Sequence, residues 1–133
     1  MTLTFTQLES AILDAICDAD LENPAGLKLL LDGAQLIERD NTGHGFNTRF
    51  NVSRDHPSLT PKSNPVDGPI AHMVDLGPGM LMGFLLWFSD GYPNCLEGYQ
   101  YGDESGERVD LRQWDLSALS FRKLDWAVGR KLH

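Results

Sequence analysis

Two different spacings of apolar residues divide this chain. Near the start, Leu8, Ile12, Ala15, Ile16 and Ala19 recur on one helical face while Glu9, Asp14, Asp18 and Asp20 fall elsewhere, the stripe of a helix that packs on a core. Thr6, with Glu9 three positions later, supplies a capping box for its first turn. Asn23-Pro24 then offers a second start with proline at the first helical position, and the short apolar run Leu27 to Leu31 ends at Asp32-Gly33.

Beyond Gly33 the period shortens to two. Residues 34–52 read as a hairpin around Asn41-Thr42-Gly43, with Phe46, Thr48, Phe50 and Val52 on one face of its second strand. Residues 53–68 carry Pro57, Pro61, Pro65 and Gly68, too much proline for regular structure, and predict a surface loop. Pro69 to Leu76 reads as a strand, Gly77-Pro78-Gly79 as a turn, and Phe84 to Phe88 as an apolar strand buried on both faces or placed in mid-sheet. Pattern alone also fits a buried helical segment there, but Gly83 and Asp90-Gly91 favour a strand. On this reading Trp87 or Leu85 lies in the core.

Asp90-Gly91 is a preferred hairpin dipeptide. After it, Tyr92, Asn94, Leu96, Gly98 and Gln100 face one way, and Pro93, Cys95, Glu97, Tyr99 and Tyr101 nearly the other. Pro93 lacks a ladder donor, which places it at a strand start or a sheet edge; such an edge would let a second copy pair into a homodimer. Leu116 to Leu124 resembles a last strand, with Trp126 and Val128 pinning the C-terminus. The expectation is one α+β domain over 1–133: an N-terminal helix and a short second helix on a mainly antiparallel sheet of about five or six strands.

Charge narrows the function classes. The formal net charge is −8, from 11 basic and 19 acidic residues. Residues 1–33 and 87–115 each carry −5, and 116–133 carry +3. This balance opposes nucleic-acid binding, where Lys and Arg must displace counterions from phosphates, and suits a basic partner. No run approaches the roughly 20 apolar residues of a membrane span, and the start lacks the basic and apolar segments of a secretory signal, so a cytoplasmic location with no membrane partner is expected. Cys17 and Cys95, with no CxxC and no zinc-type Cys/His spacing, read as reduced thiols. No cofactor or metal is implied.

The candidate site residues are few. His44, between Gly43 and Gly45, could be presented at a loop tip as a base or ligand, although hairpin geometry explains both glycines. His72 reads as a satisfied structural histidine, since Asp75, three positions on, faces the other side of a strand. Glu97, between Leu96 and Gly98, reads as a half-buried carboxylate paired with Arg39 or Arg49, or else as a binding group. Tyr92, Tyr99, Tyr101 and Trp87 supply aromatic surface suited to protein recognition or to a sheet core. No nucleophile elbow or phosphate loop is present.

The segments Arg39-Asp40-Asn41-Thr42-Gly43-His44-Gly45-Phe46-Asn47-Thr48-Arg49-Phe50 and Gly91-Tyr92-Pro93-Asn94-Cys95-Leu96-Glu97-Gly98-Tyr99-Gln100-Tyr101-Gly102 resemble a family of small uncharacterised bacterial proteins. Its pattern is Arg-x-x-Thr-Gly-x-Gly-Phe-x-Thr-x-Phe with a later Gly-Tyr-x-x-x-Leu-Glu-x-Tyr. The resemblance covers about residues 34–104 and implies kinship without an activity. In size and acidity the chain is also similar to immunity proteins of bacterial toxin systems. The expected function is a non-enzymatic interaction module that binds a basic protein through Glu97, Tyr99, Tyr101, Asp103 and Glu107. The alternative is a small enzyme or ligand-binding domain with His44, Arg49 and Glu97 converging on one sheet face.

Overall fold

A computed structural model describes residues 4–18, 23–102 and 109–126. Helix α1 spans Gln7–Cys17 and α2 spans Pro24–Asp32. Seven strands follow: β1 (Gln35–Asn41), β2 (Gly45–Asn51), β3 (Val66–Asp67), β4 (Ile70–Met73), β5 (Leu81–Ser89), β6 (Tyr92–Gly102) and β7 (Phe121–Asp125). All pairings are antiparallel, in the order β1-β2-β6-β5-β4-β7, with β3 also pairing β5. The α+β architecture agrees with the sequence reading. The additional strand is β3, two residues of the proline-rich loop that lie against Leu85 and Leu86.

Both helix starts form as their sequences dictate. Thr6 Oγ1 accepts from the Glu9 amide at 3.1 Å and the Thr6 amide donates to Glu9 Oε1 at 2.8 Å; Asn23 Oδ1 caps α2 through the Gly26 amide at 2.9 Å. Such caps satisfy amides that have no partner within the helix. The stripe Leu8, Ile12 and Ile16 is fully buried and packs with Phe46, Phe50, Met82, Phe84, Leu86 and Leu96 in one core between helices and sheet. Glu9 is buried as well. Arg39 Nε and Nη2 donate to its carboxylate at 2.9 and 2.6 Å, and Thr48 Oγ1 donates to Oε2.

The β5–β6 hairpin turns at Asp90 and Gly91, with φ of 54° and 83°, both positive as a type I′ turn requires. Its strands differ from the sequence reading in which side chains they bury. β5 alternates from Phe84 onward: Phe84, Leu86 and Phe88 enter the core with Met82, whereas Leu85 is half-buried and Trp87 is 38% exposed on the opposite face. Among the described residues, helices α1 and α2 pack on one side of the sheet, so a wholly apolar run still has a wet face.

Pro93 stands at the start of β6, but that strand lies between β2 and β5. A register shift sets Trp87 opposite Cys95 and then Phe88 opposite Pro93, and this bulge absorbs the residue without an N–H. Strand β6 is paired on one side by β2 and on the other by β5, so it offers no sheet edge for a second copy to extend.

Strand β7 begins at Phe121 and not at Leu116. Asp110 and Asp115 cap short 3-10 turns at Leu111–Gln113 and Leu116–Ala118, accepting from the Arg112 and Ser117 amides at 3.0 Å. Local aspartate capping diverts the backbone before the ladder starts. Trp126 packs partly buried against the core; Val128 lies outside the described residues.

Candidate functional site: the open face of the sheet

Strand alternation sets Glu38, Asp40, Asn47, Arg49, Cys95, Glu97, Tyr99, Leu85, Trp87, Asp67, His72 and Lys123 on the side of the sheet away from the helices. Trp87 and Tyr101 are the most exposed aromatic side chains there, at 38% and 43%. The Trp87 indole N–H donates to Glu97 Oε1 at 2.8 Å, which fixes the ring across the hairpin. Cross-strand pairing runs Asp67, Leu85, Glu97, Asn47 in one row, so the two carboxylates flank a leucine.

Tyr99 and Tyr101 lie beside that row. Their rings stand 5.3 Å apart and their hydroxyls are 3.2 Å apart. They fit over Gly83, where a Cβ would come within 2.5 Å of Tyr99 Cζ and 2.7 Å of Tyr101 Cε2. A side chain in mid-β5 would displace the pair, so glycine is required there for close approach. Burial raises the Tyr99 phenol above its ordinary value, followed by its bond to Tyr101 and by the nearby charges of Asp67 and Glu97.

Among the described residues neither Asp67 nor Glu97 makes an ion pair. The arginines expected to pair with Glu97 are engaged elsewhere. Arg39 points to the helix side and binds Glu9, whereas Arg49 shares the open face but pairs with Glu38 across the β1–β2 rung. Glu97 takes the indole instead.

His44 does not join Arg49 and Glu97. It is exposed in the β1–β2 turn, and its carbonyl accepts from the Gln100 amide at 3.3 Å. Arg49 lies about 13 Å further along β2 than Gly45 at ~3.3 Å per residue, so the two side chains leave opposite ends of the strand. The turn is instead an anchor for the chain beyond β6: Leu111 N–H bonds Gly43 O at 2.9 Å, and Asn41 Nδ2 bonds Leu111 O at 2.9 Å. The buried Gln100 amide reaches Val109 in both directions, Nε2 to O at 2.8 Å and N to Oε1 at 2.9 Å. Asp103 and Glu107 lie outside the described residues. Of the described acidic residues between β6 and β7, Asp110 and Asp115 serve as caps, and Asp110 also binds Arg112 at 3.0 Å.

Tyr92 stands apart from the other tyrosines. Its hydroxyl donates to His56 O at 2.7 Å and its ring sits 4.4 Å beneath the Arg54 guanidinium. His72, half-buried on the open face, differs from the satisfied histidine expected: Nε2 is buried without a hydrogen bond, and Asp125 Oδ2 is 3.9 Å away. Its pKa is lowered first by burial and then by Lys123 and Arg122. Asp75 binds Ser120 and takes no part.

Sequence reasoning missed Asp67 because it lies in a proline-rich loop; only the pairing of β3 with β5 places it in the row. Among the described residues no group of three or more His, Cys, Asp or Glu could hold a metal ion, and no helix is long and apolar enough to cross a membrane. No family model matches the chain, and neither does any curated protein or solved structure.

Proposed function

We propose that this chain is a protein-interaction module that docks a basic protein on the open face of its sheet. One observation carries the reading: exposed Trp87 and Tyr101 share that face with two carboxylates, Asp67 and Glu97, that have no cationic partner among the described residues. Aromatic side chains supply large contact area at low entropic cost, and interfaces are enriched in them. The remaining charges lean the same way. Among the described residues, Glu38 and Asp40 share the face with Arg49, which is paired to Glu38, and with Lys123. Complementary charge speeds encounter and selects the partner. The likeness in size and acidity to immunity proteins fits such a role.

Site-specific photo-crosslinking in cells of the source organism tests this reading. A benzophenone side chain at Tyr101 is expected to trap a protein of high pI, while the same probe at Ser10, exposed on α1, does not trap it. Identical adducts from the two positions, or none from position 101, would overturn the proposal.

A further inference from the structure

On the helix side of the sheet a cleft of about 360 Å³ opens between the first turn of α2 and the chain at 58–62. Its floor is apolar, built from Leu27, Leu59, Val66 and Phe88; its rim carries Asn23, Ser58, Thr60 and Lys62. The outer wall is pinned to the β5–β6 hairpin and cannot easily fall inward. Leu59 N–H bonds Gly91 O at 2.7 Å, and the Asn64 side chain takes both backbone groups of Phe88, at 2.9 and 3.0 Å. Tyr92 Oη holds His56 O at 2.7 Å. A cleft held open in this way keeps its shape when empty, as ligand sites commonly do.

The rim chemistry leans toward donors. Asn23 Oδ1 is spent on the Gly26 amide, which leaves the Nδ2 donors; Ser58 and Thr60 offer hydroxyls; Lys62 can only donate and makes no ion pair among the described residues. Among the described residues no carboxylate lines the cleft, although the chain has 19 acidic residues to 11 basic ones. Of three other clefts, one includes Asp75 and another Asp14 and Asp32; the third is lined by no carboxylate among the described residues, but its Arg54 is already placed on Tyr92 and 3.8 Å from Asp90.

We infer that this cleft binds a small organic anion, a carboxylate with an aromatic or branched apolar body, with Lys62 receiving the charged end. The volume equals that of about a dozen waters at ~30 Å³ each, room for a body of one ring and a short chain. Burial of that body over Leu27, Val66 and Phe88 provides affinity. The ammonium and the rim donors provide selectivity for an anion over its neutral and cationic analogues, because hydrogen bonds to a charged group are about twice as strong as neutral ones.

The test is an amide-resolved NMR titration of the full chain with three probes of one shape: 4-phenylbutyrate, 4-phenylbutanamide and 4-phenylbutylamine. The carboxylate is expected to move the amides of Leu59, Thr60, Lys62, Val66 and Phe88 and to bind about tenfold more tightly than the neutral amide, while the amine leaves them in place. Lys62→Met should bring the carboxylate down to the affinity of the amide, and Thr60→Trp, which plugs the mouth from an exposed position, should abolish binding with an unchanged melting temperature. Equal binding of the amine, undiminished affinity in Lys62→Met, or a carboxylate that leaves these amides unmoved at millimolar concentration would overturn the inference.

Discussion

Arg39 and Glu9 join the first strand to the first helix through two hydrogen bonds of 2.9 and 2.6 Å, with the carboxylate fully buried and the guanidinium nearly so. The same carboxylate caps its own helix and accepts from Thr48 on β2. One acidic side chain thus fastens α1, β1 and β2. Removing one partner strands the other charge away from water, which costs about 3–5 kcal/mol. Arg39→Met should therefore lower the unfolding free energy by that order in urea denaturation. Arg49→Met, which breaks the exposed pair with Glu38, should change it by less than about 1 kcal/mol. Equal losses would mean that the buried pair has no special standing.

Neighbouring leucines on β5 should respond differently. Leu86 is completely buried in the core, whereas Leu85 lies half-buried on the open face. Leu86→Ala is expected to cost about 2–5 kcal/mol through lost transfer energy and an unfilled cavity. Leu85→Ala opens no closed cavity and should cost about 1 kcal/mol. A larger loss at Leu85 in chemical denaturation would contradict this assignment of faces.

Docking on the open face makes Trp87 and Tyr101 expendable for folding. Trp87→Ala with Tyr101→Ala should leave the circular dichroism spectrum and the cooperativity of unfolding unchanged, yet weaken partner binding at least about 30-fold, a loss of ~2 kcal/mol typical of interface anchors. Asp67→Asn with Glu97→Gln should act mainly on the association rate at low salt, because exposed charges are screened beyond about 8 Å at physiological ionic strength. Surface plasmon resonance with the crosslinked partner separates the two effects, and an unchanged rate for the second pair would remove the electrostatic part of the proposal.

Two titrating groups give the stability a pH profile with a definite sign. His72 has a lowered pKa, through burial and the charges of Lys123 and Arg122, with Asp125 opposing them and Leu81 alongside. The unfolded chain then binds the proton more readily, so stability is full above about pH 6.5 and falls as the pH drops through that value, by up to about 1.4 kcal/mol per pH unit. His72→Gln should flatten the dependence of the urea midpoint between neutral and mildly acidic pH; an unchanged slope would assign it to other groups.

Cys17 behaves in the opposite sense. Burial, with Asp14 and Asp18 nearby, pushes its thiol up to about 11. Stability from the neutral thiol is complete below about pH 9 and declines as the pH rises toward 11. Because only the thiolate attacks alkylating agents, iodoacetamide at mildly alkaline pH should label Cys17 in the folded protein far more slowly than in the urea-unfolded chain. Equal rates would place that thiol in contact with solvent.

Local signals determined much of this fold. Thr6 with Glu9, Asn23 with Pro24, and Asp90 with Gly91 each carry their structural outcome in a few adjacent residues, because caps and tight turns are satisfied within one turn of chain. The alternation of Phe46, Thr48 and Phe50 likewise announced a strand with one buried face. Tertiary structure decided which face of each strand the helices cover, and so sent Phe84, Leu86 and Phe88 inward and left Trp87 outside. It also chose the partners. Glu9 rather than Glu97 took Arg39, and Asp67 came to flank Leu85 opposite Glu97, because ion pairs and cross-strand rows join residues that are distant in the sequence, where spacing carries no information.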